Sequence, residues 1–135
     1  MITENEKLFV NVFGKEGCAK CAMLNRRIDA LLEETQYSAF SKVYCDVLTE
    51  DGLMKFCKAE CLNPSRIPAM VISKIGPDGQ VVYLDNPAPG AEDAVCRKSR
   101  LHQFLGIQTD YSEEGKGIIT PEMIKTILDE ALKIA

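Results

Sequence analysis

Cys18 and Cys21 are the residues whose type and spacing could do chemistry most directly. Two thiols separated by Ala19 and Lys20 can close a disulfide, exchange with one, or share a metal ion. The thiolate is the reactive form, so the surroundings of each sulfur decide its use. An apolar run, Leu8-Phe9-Val10-Asn11-Val12-Phe13, precedes the pair, and Gly14-Lys15-Glu16-Gly17 turns the chain into it. After it, Cys21, Leu24, Ile28 and Leu31 recur at helical steps, the stripe of an amphipathic helix. This pattern predicts Cys18 at a helix N-terminus and Cys21 one turn further, facing inward. Unpaired N–H groups and the positive end of the helix dipole would then favour a thiolate at Cys18. Lys20 adds a neighbouring cation, worth ~1 kcal/mol or less if exposed, and reads equally well as a solvated surface lysine. The chemistry so arranged is thiol–disulfide exchange, one sulfur attacking and the second releasing the partner. A structural zinc site uses the same spacing but normally needs two more ligands.

The elements that must hold this pair follow from the rest of the chain. Residues 7–13 read as a buried strand and 18–34 as the first helix. Residues 39–48, rich in β-branched and aromatic side chains, read as a second strand, so the unit is βαβ with parallel strands and a right-handed crossover. Thr49 is placed to cap a helix over about 50–62. Residues 69–75 read as a third strand, joined through Gly76-Pro77-Asp78-Gly79 to residues 80–84 as an antiparallel hairpin. Thr120-Pro121 opens the last helix, with Ile124, Ile127, Leu128 and Ala131 as its inward stripe. Between hairpin and last helix, 85–119 is an insertion: a loop at Asp85-Asn86-Pro87-Ala88-Pro89-Gly90, a helix over 91–105, then loop again from Gly106 to Gly117.

Composition narrows the class. The 135 residues, 46% apolar and 27% charged, suit one ordinary globular domain spanning 1–135. A net charge of −4 without a basic stripe argues against nucleic acid as a partner. Arg97, Lys98 and Arg100 gather in one cluster, but Glu92 and Asp93 flank it, so it reads as a solvated helix face. No stretch approaches the ~20 apolar residues of a membrane span, and residues 1–7 lack the apolar core of a secretion signal. The expectation is a cytoplasmic protein, where disulfides are mostly transient and catalytic. The six cysteines are therefore not a disulfide framework. Cys45, Cys57 and Cys61 are read as buried structural thiols, since free cysteine is among the most buried residue types. Cys96, beside Arg97 and Lys98, reads as a packed thiol or a third redox cysteine. His102, the one histidine, is far in sequence from the pair, and nothing indicates an orienting partner for a Cys-His hydrolase.

The strand running into Cys18-Ala19-Lys20-Cys21, the βαβ unit and Ile67-Pro68 at the head of a hairpin together resemble the thioredoxin and glutaredoxin superfamily. The resemblance covers about 1–84 and 118–135. It implies an α/β thioredoxin-like fold in the order β-α-β-α-β-β-α, a four-stranded mixed sheet with three helices and a helical insertion before the last. It further implies that Pro68 is cis and sits against the active-site disulfide, with the Ile67 backbone offered to an extended substrate. Only an X-Pro bond adopts cis at modest cost. Several family features are replaced. Gly17 stands where thioredoxins carry tryptophan, and Ala19-Lys20 replaces their Gly-Pro. Val12 occupies the position of their buried carboxylate, so a proton leaving Cys21 needs another route, or water. The Cys-Pro-Tyr-Cys and the paired glycines of glutaredoxins are also missing, which favours a protein disulfide over glutathione as partner.

The reading is thus a thiol–disulfide oxidoreductase, with Cys18 as nucleophile, Cys21 as resolving thiol and Lys20 in support. Ile67 and Pro68 would hold the substrate. No bound cofactor is required, although a reductase must recycle the oxidised pair. Two other classes fit the same residues: a metal-binding protein using Cys18, Cys21 and further thiols, and a non-catalytic adaptor binding partners through the insertion.

Overall fold

The architecture, taken from a computed structural model, is described for residues 7–50, 52, 54, 67–85, 105–109 and 119–134. Alternation along β1 (Leu8–Gly14) creates two faces. Leu8, Val10 and Val12 enter the main core cluster, whereas Phe13 joins a second cluster with Cys45, Ala69 and Val71. α1 (Ala19–Leu32) returns the chain to β2 (Phe40–Asp46), which runs parallel to β1, as the βαβ reading requires. β3 (Ala69–Ile75) lies antiparallel on the other side of β1, with Val10 opposite Ile72 and Val12 opposite Met70. A turn whose Gly79 takes φ 79° leads from β3 into β4 (Val81–Tyr83), and the sheet order is β2-β1-β3-β4.

Asn11, the polar interruption of the first strand, is explained by the pairing. Its Nδ2 donates to the Val71 carbonyl at 3.1 Å and to Ser73 Oγ at 2.8 Å, tying β1 to β3. A polar side chain at such a position is tolerated because its donors are satisfied.

The last helix, α2 (Pro121–Ile134), starts as expected, with Thr120 Oγ1 accepting the Met123 N–H at 3.3 Å. Ile124, Ile127, Leu128 and Ala131 are all fully buried and share one cluster with Leu24, Ile28 and Leu31 of α1. Two links outside the apolar contacts hold the helices together. Arg27 donates to the carbonyl of Ile119 just before α2. Tyr37, in a 3-10 turn (Thr35–Tyr37) after α1, is fully buried and donates its hydroxyl to Asp129 Oδ1 at 2.9 Å. Burial, reinforced by Asp129, holds the Tyr37 hydroxyl above the usual tyrosine range.

The structure corrects the reading of the insertion. Residues 106–108, expected as loop, form a further strand, β5 (Gly106–Gln108), paired antiparallel to β3 at Ala69–Val71. β4 pairs with β3 at Ser73–Ile75, so β4 and β5 lie in line along the same edge of β3. Between them the Leu84 N–H reaches the Ile72 carbonyl at 3.0 Å, and the Leu105 carbonyl accepts the Ile72 N–H at 3.0 Å. The Leu105 N–H then closes onto the Leu84 carbonyl at 2.8 Å. One sheet position is thus shared by two chain segments, and the excursion starts and returns at a pinch between buried Leu84 and Leu105. The helix expected over 91–105 lies outside the described residues apart from Leu105, which is not helical. Of the helix expected over 50–62, Glu50, Gly52 and Met54 are described and helical, and Thr49 Oγ1 accepts the Gly52 N–H at 3.0 Å, the predicted cap.

Candidate active site

The site forms where β1 ends. Gly14 closes the strand, Lys15 and Glu16 are exposed, and Gly17 takes φ 81°, a left-handed backbone that a side chain would strain. That turn delivers Cys18 as the N-cap of α1, with its carbonyl accepting the first helical hydrogen bond from the Ala22 N–H at 3.0 Å. Cys18 Sγ accepts the Cys21 N–H at 3.1 Å, as a serine or threonine oxygen would in that position. A sulfur receiving a backbone N–H at a helix N-terminus has its charged form favoured. Cys18 is half-buried, Cys21 is 1% exposed, and the two are joined as a disulfide with Cα atoms 5.2 Å apart. One sulfur of the pair thus faces the surface while the other lies within the protein.

Gly14 matters here for space. A Cβ on it would lie 3.0 Å from Cys21 Cβ, 3.2 Å from Cys21 Sγ and 2.8 Å from the Tyr44 hydroxyl. The missing side chain lets strand, helix and tyrosine meet around the second sulfur.

The Ile67–Pro68 bond is cis. Pro68 is buried immediately before β3, and the register that sets Phe13 opposite Ala69 brings it to the sheet end where Gly14 stands. Its carbonyl accepts both the Thr109 N–H at 3.1 Å and the Thr109 hydroxyl at 2.6 Å, so β5 holds the proline segment in place. Lys20, Met23, Arg27, Pro68, Thr109 and Ile119 line one cavity of about 80 Å³ beside the start of α1. Lys20 is exposed, and Ile67 is half-buried against the second apolar cluster.

A strand leading into Cys-x-x-Cys at a helix N-terminus, a βαβ unit, and a cis proline opening an antiparallel hairpin at the same sheet end are now all in place. The fold is thioredoxin-like. Among the described residues of this thioredoxin-like chain no helix is long and apolar enough to cross a membrane, and no three His, Cys, Asp or Glu side chains gather where they could hold a metal ion. Cys45 is buried in the second cluster, in keeping with a structural role. Cys57, Cys61, Cys96 and His102 lie outside the described residues. Reasoning from sequence missed Thr109, whose role depends on the β5 pairing, and Tyr44, which alternation placed on a strand without revealing what its hydroxyl meets.

No family model and no curated protein matches the chain. Solved structures do. It is similar to mitochondrial thioredoxin 3 from Saccharomyces cerevisiae in its oxidised form, at 24% identity and a TM-score of 0.39 over 58% of this chain and 66% of that one. The chain thus spans just under two thirds of that relative's length. It is similar to G4, the poxviral disulfide oxidoreductase essential for cytoplasmic disulfide bond formation, at 20% identity and a TM-score of 0.43 over 92% and 93% of the two chains. A malarial protein aligns over 93% of this chain and 98% of its own, at 12% identity and a TM-score of 0.48.

Proposed function

We propose that the protein is a cytoplasmic thiol–disulfide oxidoreductase acting on protein disulfides. The observation that carries this reading is the asymmetry of the pair: Cys18 caps α1 and reaches the surface, and Cys21 is buried and covalently within reach of it. In the reducing direction the Cys18 thiolate attacks one sulfur of a substrate disulfide. The substrate S–S bond breaks, a mixed disulfide forms, and the departing sulfur leaves as a thiolate that takes a proton from water. Cys21, once ionised, attacks Cys18 Sγ and displaces the second substrate sulfur in the same way. The two electrons lost by the dithiol pass to the substrate, which ends as two thiols, and Cys18 and Cys21 are left oxidised as a disulfide. A reductant supplied by a separate recycling protein restores the dithiol. The Ile67 backbone and Pro68 form the ledge for the substrate strand, with Lys20 at its rim. Residues 1–135 act as one domain, and the exchange requires no bound cofactor.

The test uses both cysteine variants recovered from cells under acid quench and run without reductant. Cys21→Ser should accumulate covalent adducts with cellular proteins that dissolve on reduction, and Cys18→Ser should accumulate few. A metal site would instead lose metal in either variant and build no adducts. An adaptor would bind partners non-covalently in both. Absence of adducts in both variants, together with wild-type protein that cannot reduce insulin disulfides, would refute the proposal.

A further inference from the structure

Cys21 poses a problem that the pair itself does not solve. Its thiol is almost fully buried beside an apolar cluster containing Val12 and Leu24, and burial disfavours the charged form of a thiol. Yet the resolving step needs the thiolate. Val12, at the strand position facing this region, has no group that could accept a proton.

The parallel register supplies one from the neighbouring strand. Tyr44 of β2 is paired with Val12 of β1. Alternation puts Phe40, Lys42 and Tyr44 on the same side of the sheet, and that side carries α1. Phe40 belongs to the same core cluster as Leu24 and Ile28, and Lys42 donates to Asn25 Oδ1 and pairs with Asp29 Oδ1, both at 2.6 Å. Tyr44 is the next residue in that row toward the disulfide. Its hydroxyl oxygen and Cys21 Sγ lie 2.8 Å and 3.2 Å from the point where a Gly14 Cβ would be, so they are no more than 6.0 Å apart. That is within reach of one bridging water, or of a direct bond once reduction frees the Cys21 side chain.

We propose that the Tyr44 hydroxyl is the proton-handling partner of Cys21, accepting the thiol proton while passing its own to water and then hydrogen-bonding the thiolate that results. The tyrosine ends each cycle unchanged, and the proton ends in solvent. Two observations fit this role. The Tyr44 side chain is 41% exposed, so the ring connects the buried sulfur to bulk water. Its hydroxyl end, tucked against Gly14 and followed on the same strand by Asp46, is pushed above the usual tyrosine range, first by desolvation and then by the Asp46 charge. It therefore stays protonated near neutral pH and serves as donor to a thiolate, not as a competing anion. The other titratable groups that sequence and register bring to this end of the sheet, among the described residues, are the N-cap Cys18, Lys20 of α1, Lys15 and Glu16 of the preceding turn, and Asp46 of β2, paired with Gly14. None of these is a neutral hydroxyl.

This inference rests on the proposed disulfide exchange for its use, but its test needs no substrate. The reduced protein is labelled at cysteine 13Cβ and the Cys21 shift is followed against pH. In Tyr44→Phe, which keeps the ring and removes the hydroxyl, the Cys21 midpoint should move to higher pH, with about tenfold less thiolate below it. Site-specific 3-fluorotyrosine at position 44, a more acidic phenol in the same shape, should move it the other way and decides the question if the phenylalanine variant folds poorly. A protein inactive toward disulfides whose Cys21 midpoint still follows position 44 would leave the hydrogen bond standing and remove only its catalytic use. Cys21 titrations that superimpose in wild type, phenylalanine and fluorotyrosine forms would overturn the proposal.

Discussion

Replacing Gly14 with alanine adds one methyl group at the most crowded point of the site, and its cost can be apportioned from the contacts. The new Cβ would stand 2.8 Å from the Tyr44 hydroxyl, 3.0 Å from Cys21 Cβ and 3.2 Å from Cys21 Sγ. The tyrosine contact is the cheaper one to relieve, because it is the far end of a side chain that is 41% exposed and can swing outward. The Cys21 contacts are costlier, because that side chain is 1% exposed and tied to Cys18. Overpacking a buried position costs roughly 1–3 kcal/mol, and a displacement of a few tenths of an ångström belongs at the lower end, about 1 kcal/mol. In the dithiol form Cys21 is no longer tethered and can turn away, so most of this cost falls on the oxidised protein. Since 30 mV corresponds to ~1.4 kcal/mol for a two-electron couple, Gly14→Ala should raise the reduction potential of the pair by about 20 mV. Melting of the oxidised protein should fall by about 3–5 °C, and that of the reduced protein by less. The assay is a thiol-buffer redox titration of wild type and variant alongside melting curves in both redox states. Adding Tyr44→Phe should relieve only the hydroxyl part of the clash, so the double mutant should be less destabilised than the two single changes sum to. Equal melting shifts in the two redox states with an unchanged potential would refute the reasoning.

Three further outcomes follow from the packing. Tyr37→Phe should cost about 1 kcal/mol at neutral pH through the lost bond to Asp129, measured by urea unfolding. Because the folded state holds the Tyr37 hydroxyl above its unfolded value of ~10, its contribution is complete below that pH and lost as pH rises through the folded value, so the variant should show a shallower alkaline decline than wild type. Ile28→Ala, at a fully buried position on α1, should lose about 2–5 kcal/mol in the same unfolding assay, and a loss below 1 kcal/mol would mean the α1–sheet contact is looser than described. Thr109→Val removes one of the two hydrogen bonds to the Pro68 carbonyl while keeping shape, and should cost about 1 kcal/mol by thermal unfolding.

What could be read from sequence was what local pattern encodes. The placing of Cys18 at a helix N-terminus, the inward Cys21, the third strand at 69–75 and the stripe of α2 all rest on periodicity or turn chemistry within one element, and all recur in the structure. Tyr37 could not be read so, because it follows the polar run Glu33-Glu34-Thr35-Gln36 and is buried only when α2 arrives with Asp129, 92 positions later. β5 was missed for a related reason. Three residues, Gly106-Ile107-Gln108, are too few to show alternation, and their partner on β3 lies far upstream. Tyr44 belonged to a correctly placed strand, but the approach of its hydroxyl to Cys21 depends on a glycine in another strand and a cysteine in a helix. The position of the first sulfur was legible in one stretch of chain, and the environment of the second is distributed over three.

The pinch between Leu84 and Leu105 divides the described residues into two parts. The first, through Asp85, carries β1 to β4 and both site cysteines; the second, from Leu105, carries β5, Ile119 and α2. Neither can bury its apolar surface alone, since Ile124, Ile127 and Leu128 share one cluster with Val10, Val12, Leu24 and Ile28. A backbone hydrogen bond, not a peptide bond, makes the junction of the shared strand continuous. The two described parts therefore complement each other through one shared core and one shared strand position. How often two such parts meet depends on the length of chain that joins them, and for a flexible connection the closure cost grows only logarithmically with that length.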